Sequence, residues 1–489
     1  MSDPLGLFPI AIAAGGGHVD GFEAQQLVAA GLTLLQRSAP VVRALHRRRS
    51  GILLATSPAF LTALAASEGR GAVLINPLAA PPEVAYQIAD ANVGVVFTTS
   101  DLAPKLPESV ARVLLDESPR VARTVVNGVS RDIDLGSHVG LTLEGDTDSP
   151  GSRDEAAIVY TSALSGLAFG ASLRHENLLS NAKATIEAAA LTSACHSLAV
   201  LPFSHLFGLV VSGAAPLMAG GRVSTMSRFN PARVVDQLET ENITDLIGVP
   251  SVFAAVLALL ERRDKPLATD RLRLCICGGA PLSLALQDRW FELTGVELRQ
   301  GYGLTEAGPV CLFNRIGQPN KRGTLGVPFR GVTVSIRDES GQHEMIDGDE
   351  GEIFVAGPNV FAGYVNASEH PAMPDDPWSA GLPRVGGWLR TGDRGVRNPD
   401  GTVSFRGLSK PMFTRNGFNI YPREIERAVR ELAGVQAVRV SAVADALREN
   451  DIRIDVEGDV SVATVKAWCD ARLSVYKRPS VITVNGATA

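Results

Sequence analysis

The stretch Asn416-Gly-Phe-Asn-Ile-Tyr-Pro-Arg-Glu-Ile-Glu426 decides how this chain is interpreted, through its own pattern and through its place after several other distinctive segments. Pro422 predicts the first position of a helix, where a missing backbone N–H costs nothing. Ile425, Val429 and Leu432 then share one face of that helix. The stretch therefore predicts a loop that leads into an amphipathic helix.

Downstream of this stretch, the pattern is that of a compact α+β unit. Alternating apolar residues predict strands over 435–443 and 452–456. Ser461 predicts the N-cap of a second helix, because its hydroxyl can accept a bond from an unpaired backbone N–H. A last strand is expected over 480–484.

Upstream, from about residue 50 to 300, short apolar runs alternate with helical patterns. Asn230 and Pro231, for example, predict an N-cap followed by the first residue of a helix. This rhythm predicts a parallel α/β sheet. Past residue 323, alternating strands rich in Gly and Val predict an antiparallel, barrel-like module. The region 386–409, dense in Gly, Arg and Asp, predicts a linker or turn-rich border.

The composition excludes several classes of protein. The 489 residues carry 46 Lys and Arg against 52 Asp and Glu, a net charge of −6 that is the wrong sign for coating nucleic acid. The five cysteines are scattered, so neither a disulfide framework nor a zinc site is expected, and a reducing cytoplasm fits best. No apolar run approaches the ~18 residues of a membrane helix, and no basic export signal is visible, so we expect no membrane span.

Three segments carry candidate chemistry, although each alone also fits a plain structural turn. The strand at 156–160 runs into small and hydroxyl residues that can present N–H groups and hydroxyls to a phosphate. Gly301-Tyr-Gly-Leu-Thr-Glu306 places an acidic residue beside a hydroxyl, which suits Mg²⁺, and glycines that let a planar ligand approach. Thr391-Gly-Asp393 offers a loop carboxylate for ribose hydroxyls.

Together with Leu201-Pro-Phe-Ser-His-Leu-Phe-Gly208 and Cys277-Gly-Gly-Ala-Pro281, these segments come in an order that resembles the adenylate-forming acyl-CoA synthetase (AMP-binding enzyme) superfamily, which includes luciferase and the aryl- and fatty-acyl-CoA ligases. The resemblance implies an α/β fold with a large N-terminal domain of two α/β subdomains plus a β-barrel-like module. A small α+β C-terminal lid domain completes it and rotates between adenylation and thioester formation. We place the AMP- and acyl-binding domain at residues 1–406 and the lid at 407–489.

The resemblance also assigns roles by position. Glu306 corresponds to the Mg²⁺ ligand and Asp393 to the ribose anchor, while His205 corresponds to the gate of the acyl pocket. Glu306 and His205 are the candidate catalytic residues. The other AMP-binding candidates are Thr161, Ser162, Ser165, Gly279, Ala280, Pro281, Tyr302, Gly303 and Thr305. The remaining candidates are Phe207, Gly208 and Gly301 for the acyl pocket, and Lys410, Gly417, Phe418 and Asn419 for the CoA tunnel.

The phosphate loop departs from the family pattern Tyr-Thr-Ser-Gly-Thr-Thr-Gly-x-Pro-Lys-Gly. Ala163 and Leu164 replace a glycine and a threonine, and Ala168 and Phe169 replace the proline and the lysine. A flexible residue, a hydroxyl and a cation are thereby lost. The residues that remain, and that can still hold a monophosphate, are Thr161, Ser162, Ser165 and Gly166.

Two further departures concern the lid. Gly407 and Leu408 stand where the family has an acidic residue and a ribose-contacting arginine, and the glycine would ease rotation. After Tyr476-Lys-Arg-Pro479 the family places a Gly-Lys pair whose lysine acts in adenylation, whereas no lysine follows Lys477 here. We therefore expect the adenylation lysine to be absent. Loss of one charge-stabilising donor typically costs ~10²–10³ in rate.

These departures favour a non-adenylating acyl-CoA ligase, which converts an acyl-adenylate and CoA into acyl-CoA and AMP, with Mg²⁺ optional. His205 is a candidate base for the thiol. A companion adenylating ligase would supply the acyl-adenylate, as in the non-adenylating ligases of terpenoid antibiotic biosynthesis that the chain resembles. Two alternatives stay open: a complete two-step ATP-dependent acyl-CoA synthetase, and a catalytically silent homologue that binds or regulates.

Overall fold

A computed structural model of the chain describes residues 8–46, 48–67, 71–116, 121–135, 154–161, 168–263, 265–366, 384–408, 412–445 and 448–486. The described part is built from two large mixed sheets with helices packed against them, an antiparallel sheet, and a C-terminal unit with its own core. The α/β class predicted from the alternating apolar runs is confirmed.

The first large sheet holds the central parallel strands of the chain. Its described strands run, in spatial order, Val327–Pro328, Leu312–Phe313, Leu298–Tyr302, Leu274–Cys277, Asp245–Gly248, His196–Ala199, Arg222–Thr225, His18–Val19 and Phe22–Glu23. Its helices include Pro231–Thr240, Pro250–Arg263 and Leu284–Thr294. The predicted cap is present, because Asn230 accepts bonds from the N–H groups of Ala232 and Arg233 at 3.0 and 3.2 Å.

The second large sheet contains the predicted phosphate-binding strand. Its described strands run Gly363–Tyr364, Phe169–Arg174, Glu155–Thr161, Ala72–Leu74, Arg49–Ile52, Val93–Thr98, Ala111–Leu114, Val121–Val126 and Val129–Asp134. The helices along this part of the chain are Pro58–Ala66, Pro81–Asp90 and His175–Ala188. The further helical segments are Phe8–Ala14, Ala24–Arg37, Ala39–Leu45, Ala103–Lys105, Phe207–Ala214, Ala215–Met218, Thr305–Ala307 and Val475–Lys477.

An antiparallel sheet of five described strands occupies the place of the predicted barrel-like module. Its strands are Thr333–Arg337, Glu350–Ala356, Arg384–Val385, Trp388–Arg397 and Val403–Leu408. The prediction of a linker over 386–409 is wrong for most of that region. Residues 388–397 form a ten-residue strand because they pair on one side with residues 350–356 and on the other with residues 403–408. Pairing between distant segments thus overrides the poor strand propensity of Gly, Arg and Asp.

The described part of the C-terminal unit begins shortly before the 416–426 stretch. A hairpin of Phe413–Arg415 and Phe418–Ile420 precedes the helix Pro422–Arg430, on which Ile425 and Val429 are fully buried. Leu432, which was predicted to share their face, lies beyond the end of this helix and is only partly buried. The strands Val435–Asp445, Glu449–Gly458 and Val481–Asn485 and the helix Val462–Arg472 complete the unit. Ser461 caps that helix by accepting from the N–H of Thr464 at 3.1 Å.

Two global properties follow from the described residues. None of the helices in those ranges combines the length and apolar character that crossing a bilayer requires. All five cysteines carry free thiols and are buried.

Candidate active site

A cavity of about 610 Å³ lies where the carboxyl ends of the parallel strands meet the C-terminal unit. Ligands of α/β proteins bind in crevices at this edge, because the loops that follow the strands converge there. The sequence-predicted residues that line it are Thr161, His205, Phe207, Gly279, Ala280, Pro281, Gly301, Tyr302, Gly303, Thr305, Glu306, Asp393, Gly417, Phe418 and Asn419. The cavity therefore brings together residues from both predicted domains.

Glu306 is held by two hydroxyl groups at the start of the short Thr305–Ala307 helix. Its Oε1 accepts from Thr161 Oγ1 at 3.1 Å and from the Tyr364 hydroxyl at 2.8 Å. Burial and the nearby Glu306 charge raise the pKa of Tyr364 well above its ordinary value, so this tyrosine stays a donor. The carboxylate is thus fixed at the mouth of the predicted phosphate-binding strand.

Asp393 forms the second anchored carboxylate of the cavity. Its Oδ2 accepts from the Tyr302 hydroxyl at 2.7 Å, and its backbone N–H donates to Thr391 Oγ1 at 3.1 Å. The buried Thr391 hydroxyl in turn donates to the Ile353 carbonyl at 2.8 Å. This chain fixes a carboxylate, a group that can accept hydrogen bonds from a pair of vicinal hydroxyls.

Glycines shape the wall between these two carboxylates. Gly279 has φ +79°, a left-handed conformation that favours glycine. A Cβ on Gly303 would lie only 1.9 Å from the Pro309 carbonyl oxygen, so any side chain there would displace the loop. These glycines therefore let the loops that line the cavity pack closely against their neighbours.

His205 lies at the apolar end of the cavity, next to Phe207. Its Nδ1 accepts the N–H of Phe207 at 3.3 Å, which assigns the proton of the neutral ring to Nε2. Burial lowers the pKa of His205, so the ring is neutral and Nε2 is a donor. This geometry disfavours the predicted role as base for a thiol, since neither ring nitrogen is free to accept a proton.

The C-terminal unit closes the cavity with the loop 417–419. A Cβ on Gly417 would lie 2.5 Å from Val249 Cγ1, so this glycine fits tightly against the large unit. Phe418 stacks on Tyr476 with ring centroids 4.2 Å apart and planes 16° apart. Both rings line the cavity, which gives it a flat apolar wall.

Four predicted site residues are not found among those that line the cavity, for two different reasons. Ser162, Ser165 and Lys410 lie outside the described residues, so the structure does not test them. Gly208 is buried behind the wall, and a Cβ on it would lie 2.3 Å from the Pro202 carbonyl oxygen. It therefore serves the close packing of the Phe207–Ala214 helix instead of contacting the contents of the cavity.

Charge is distributed unevenly along the cavity. The described cations that line it are Arg427, Arg472 and Lys477, all in the C-terminal unit. Burial and the charges of Glu306, Asp393 and Glu424 raise the pKa values of the tyrosines around the first two carboxylates, Tyr302, Tyr364 and Tyr421. We call the region of Glu306, Asp393 and these tyrosines the carboxylate end.

Two site residues were missed by the sequence reasoning. Tyr364 reaches Glu306 from a two-residue edge strand, and Tyr421 lies buried just before the Pro422 helix. Burial and the charges of Glu306 and Asp393 raise the pKa of Tyr421. Tyr421 lies in the 416–426 stretch, so the sequence offered a signal for it, whereas Tyr364 lies in none of the segments that carried candidate chemistry.

The oxygen groups at the carboxylate end suit a magnesium ion that is bound mainly by substrate phosphates. Glu306 supplies one carboxylate and Thr161 one hydroxyl, both hard oxygen donors. Within the described ranges there is no group of three or more His, Cys, Asp or Glu residues that could hold a metal by itself.

Comparison with known proteins agrees with this geometry. The profile of the AMP-binding enzyme family matches residues 44–365. A feruloyl-CoA synthase from an Amycolatopsis species is 31% identical over 440 residues, which cover 87% of this chain and 82% of the relative. A long-chain-fatty-acid–CoA ligase of Bacillus subtilis is 26% identical over 438 residues, covering 83% and 76%.

Solved structures show the same fold over nearly the whole chain. A malonyl-CoA ligase in a ternary product complex with methylmalonyl-CoA and AMP has a TM-score of 0.78 at 25% identity, covering 98% of this chain and 97% of that one. The o-succinylbenzoate CoA synthetase of Bacillus subtilis has a TM-score of 0.78 at 21% identity, covering 98% and 94%.

Proposed function

Since this chain belongs to the AMP-binding enzyme family of acyl-CoA synthetases and ligases, we propose that it transfers an acyl group from a preformed acyl-adenylate to the thiol of CoA and releases AMP. The residues 1–406 would then act as the AMP- and acyl-binding domain and 407–489 as the lid. The reaction is the second half of the chemistry that its relatives' family carries out.

The observation that carries this proposal is the charge of the carboxylate end. Glu306 and Asp393 are anchored there, and the described cations that line the cavity, Arg427, Arg472 and Lys477, all belong to the C-terminal unit. ATP brings three phosphates, whose negative charge needs compensation during adenylation, whereas an acyl-adenylate carries one negative charge on its single phosphate. The described surroundings suit the smaller charge.

Phe169 supports the same conclusion. It stands where the family pattern has a lysine, and it is buried with its ring centroid 5.5 Å from that of Tyr364. Since Tyr364 is the residue that donates to Glu306, an apolar ring packs where a cation would offset phosphate charge. Leu408, which stands in place of an arginine, lines the cavity without supplying a charge.

Each step of the transfer uses described residues. Asp393 accepts bonds from the ribose hydroxyls, and the wall of Gly279 and Gly303 takes the adenine ring. The CoA thiolate attacks the acyl carbonyl carbon, a C–S bond forms, and the C–O bond to the phosphate breaks so that AMP leaves. The thiol proton goes to water, and His205 Nε2–H donates to the carbonyl oxygen as negative charge develops there.

The C-terminal loop places the thiol. Gly417, Phe418 and Asn419 line the same cavity as the acyl end, so a pantetheine arm that enters along them reaches the carbonyl. When bound, Mg²⁺ would offset phosphate charge, and Glu306 with Thr161 would hold it. The residues described above act without it.

A second candidate is the complete ATP-dependent reaction. The names of the relatives, a feruloyl-CoA synthase and long-chain-fatty-acid–CoA ligases, favour it, as does the retained Glu306. Under the first candidate, we propose that a companion adenylating ligase supplies the acyl-adenylate and that the reaction belongs to specialised metabolism in the cytoplasm, by analogy with the non-adenylating ligases of terpenoid antibiotic biosynthesis.

The test offers the enzyme a panel of aryl and fatty acyl-adenylates with CoA, and separately the matching acids with ATP, Mg²⁺ and CoA, and measures thioester by mass spectrometry. We expect thioester from the first mixture and at least ~10²-fold less from the second, the factor lost with one charge-stabilising donor. Equal rates would establish the ATP-dependent ligase instead. Binding of acyl-adenylate without any thioester would show a silent homologue.

A further inference from the structure

A buried cluster of charges joins the C-terminal unit to the large unit beside the cavity. Lys477 Nζ lies 2.8 Å from Glu83 Oε1 and 2.5 Å from Glu424 Oε1. The side chains of Lys477, Glu83 and Glu424 are only 6%, 19% and 13% exposed. An ammonium group so well removed from water requires counter-charges, and here it has two.

The two carboxylates of the cluster belong to different parts of the fold. Glu424 lies on the Pro422–Arg430 helix of the C-terminal unit, which also contains Lys477, whereas Glu83 lies on the Pro81–Asp90 helix of the large unit. The Ser474 hydroxyl also donates to Glu83. Rotation of the C-terminal unit would therefore keep the Lys477–Glu424 pair and break both contacts to Glu83.

The large unit is built to hold Glu83 in place. Its Oε2 accepts the N–H of Ala80 at 2.9 Å, which caps the first turn of its helix. Lys105 is close enough for its charge to interact with Glu83, and its Nζ donates to the carbonyls of Pro77 and Ala79 at 2.5 and 3.0 Å. The charges of Arg478 and Asp101 also act on Lys105, so several charged groups meet at this junction.

The three side chains of the cluster line the same cavity as the residues of the predicted CoA tunnel. Lys477 directly follows Tyr476, whose ring stacks on Phe418, and both rings line the cavity. An ion pair that fixes residue 477 against the large unit therefore also fixes Tyr476 and, through it, the 417–419 loop.

We propose that Glu83 is a positioning residue that latches the C-terminal unit, through Lys477 and Ser474, in the arrangement in which the 417–419 loop lines the cavity. That the latch affects the reaction with CoA rests on the proposed function. The latch itself concerns only the distance between two parts of the chain, and it is measurable without any turnover.

The first experiment measures the distance between the C-terminal unit and the large unit by energy transfer between dyes on Leu284→Cys and Val462→Cys. These positions are 54% and 47% exposed, and the five native thiols are buried, so the dyes attach at the new sites. Glu83→Gln is the test variant, since its amide oxygen still caps Ala80 while the charge is gone. The control is Lys466→Met, which removes an exposed ion pair with Asp470.

We expect the ratio of closed to open molecules to fall about tenfold in Glu83→Gln, the effect of weakening a charge-assisted bond, and to stay unchanged in Lys466→Met. Lys477→Arg should restore most of the closed population that Lys477→Met loses. An unchanged transfer efficiency in Glu83→Gln would overturn the latch.

The second experiment separates positioning from binding. Glu83→Gln should lower kcat/KM for CoA about tenfold, while the affinity for a non-hydrolysable acyl-adenylate analogue stays within twofold, because the carboxylate end is untouched. A loss of analogue affinity equal to the loss in kcat/KM would contradict the latch. If the unaltered enzyme forms no thioester but the energy-transfer result holds, the proposed function fails and the latch stands.

Discussion

His175 makes the stability of the fold sensitive to acid in a way that can be calculated. It begins the His175–Ala188 helix, is 5% exposed, and its Nδ1 accepts the N–H of Phe8 at 2.9 Å. Its Nε2 is buried and has no hydrogen-bond partner within the described part of the chain. A proton on Nδ1 would break the bond to Phe8 and bury a charge, so burial lowers the pKa of His175 to about 4.

The magnitude follows from linkage between protonation and folding. Unfolded His175 titrates near 6.5, whereas the folded residue resists protonation down to about 4. Between these values the unfolded state binds more protons, so stability is complete above pH 6.5 and is lost as the pH falls. Between pH 7 and pH 5 this single residue should cost about 2 kcal/mol of unfolding free energy.

The assay is urea unfolding at pH 7 and pH 5, followed by tryptophan fluorescence, for the unaltered chain and for His175→Gln. Glutamine can still accept the N–H of Phe8 but cannot titrate, so the variant should lose about 2 kcal/mol less than the unaltered chain over the same interval. The exposed residue His343 provides the control, as His343→Gln removes a histidine from the surface. Equal losses in the unaltered chain and His175→Gln would refute the reasoning.

Three further outcomes are expected. Gly303→Ala should destabilise the chain by at least ~1–3 kcal/mol in urea unfolding, because its Cβ would overlap the Pro309 carbonyl, whereas a cost within experimental error would show that the loop can relax. Asp393→Asn should weaken binding of an acyl-adenylate analogue about tenfold in calorimetry, since it keeps the acceptor for Tyr302 but loses the charge, and unchanged affinity would contradict the ribose role. A thiol reagent should react with few of the five buried cysteines in native buffer and with all five in urea, and rapid labelling of native protein would contradict the described burial.

Local signals in the sequence predict local structure well. Asn230 caps its helix and Pro422 begins its helix because each acts on backbone groups within one turn. The parallel α/β part was predictable for a related reason, since a strand that is buried on both faces needs an unbroken apolar run.

Features that depend on contacts between residues far apart in the sequence could not be predicted from local patterns. The strand over 388–397 exists because of partners some 40 residues upstream, and its own composition suggests a turn. Tyr364 reaches Glu306 across 58 positions, and Lys477 reaches Glu83 across 394.

The central claim is tested most directly by single-turnover kinetics with enzyme in excess, in which one sample receives acyl-adenylate and CoA and its duplicate receives the same acid with ATP, Mg²⁺ and CoA. The account predicts thioester within one turnover from the first sample, and a rate at least ~10²-fold lower from the second. Thioester formation at comparable rates in both samples would contradict it.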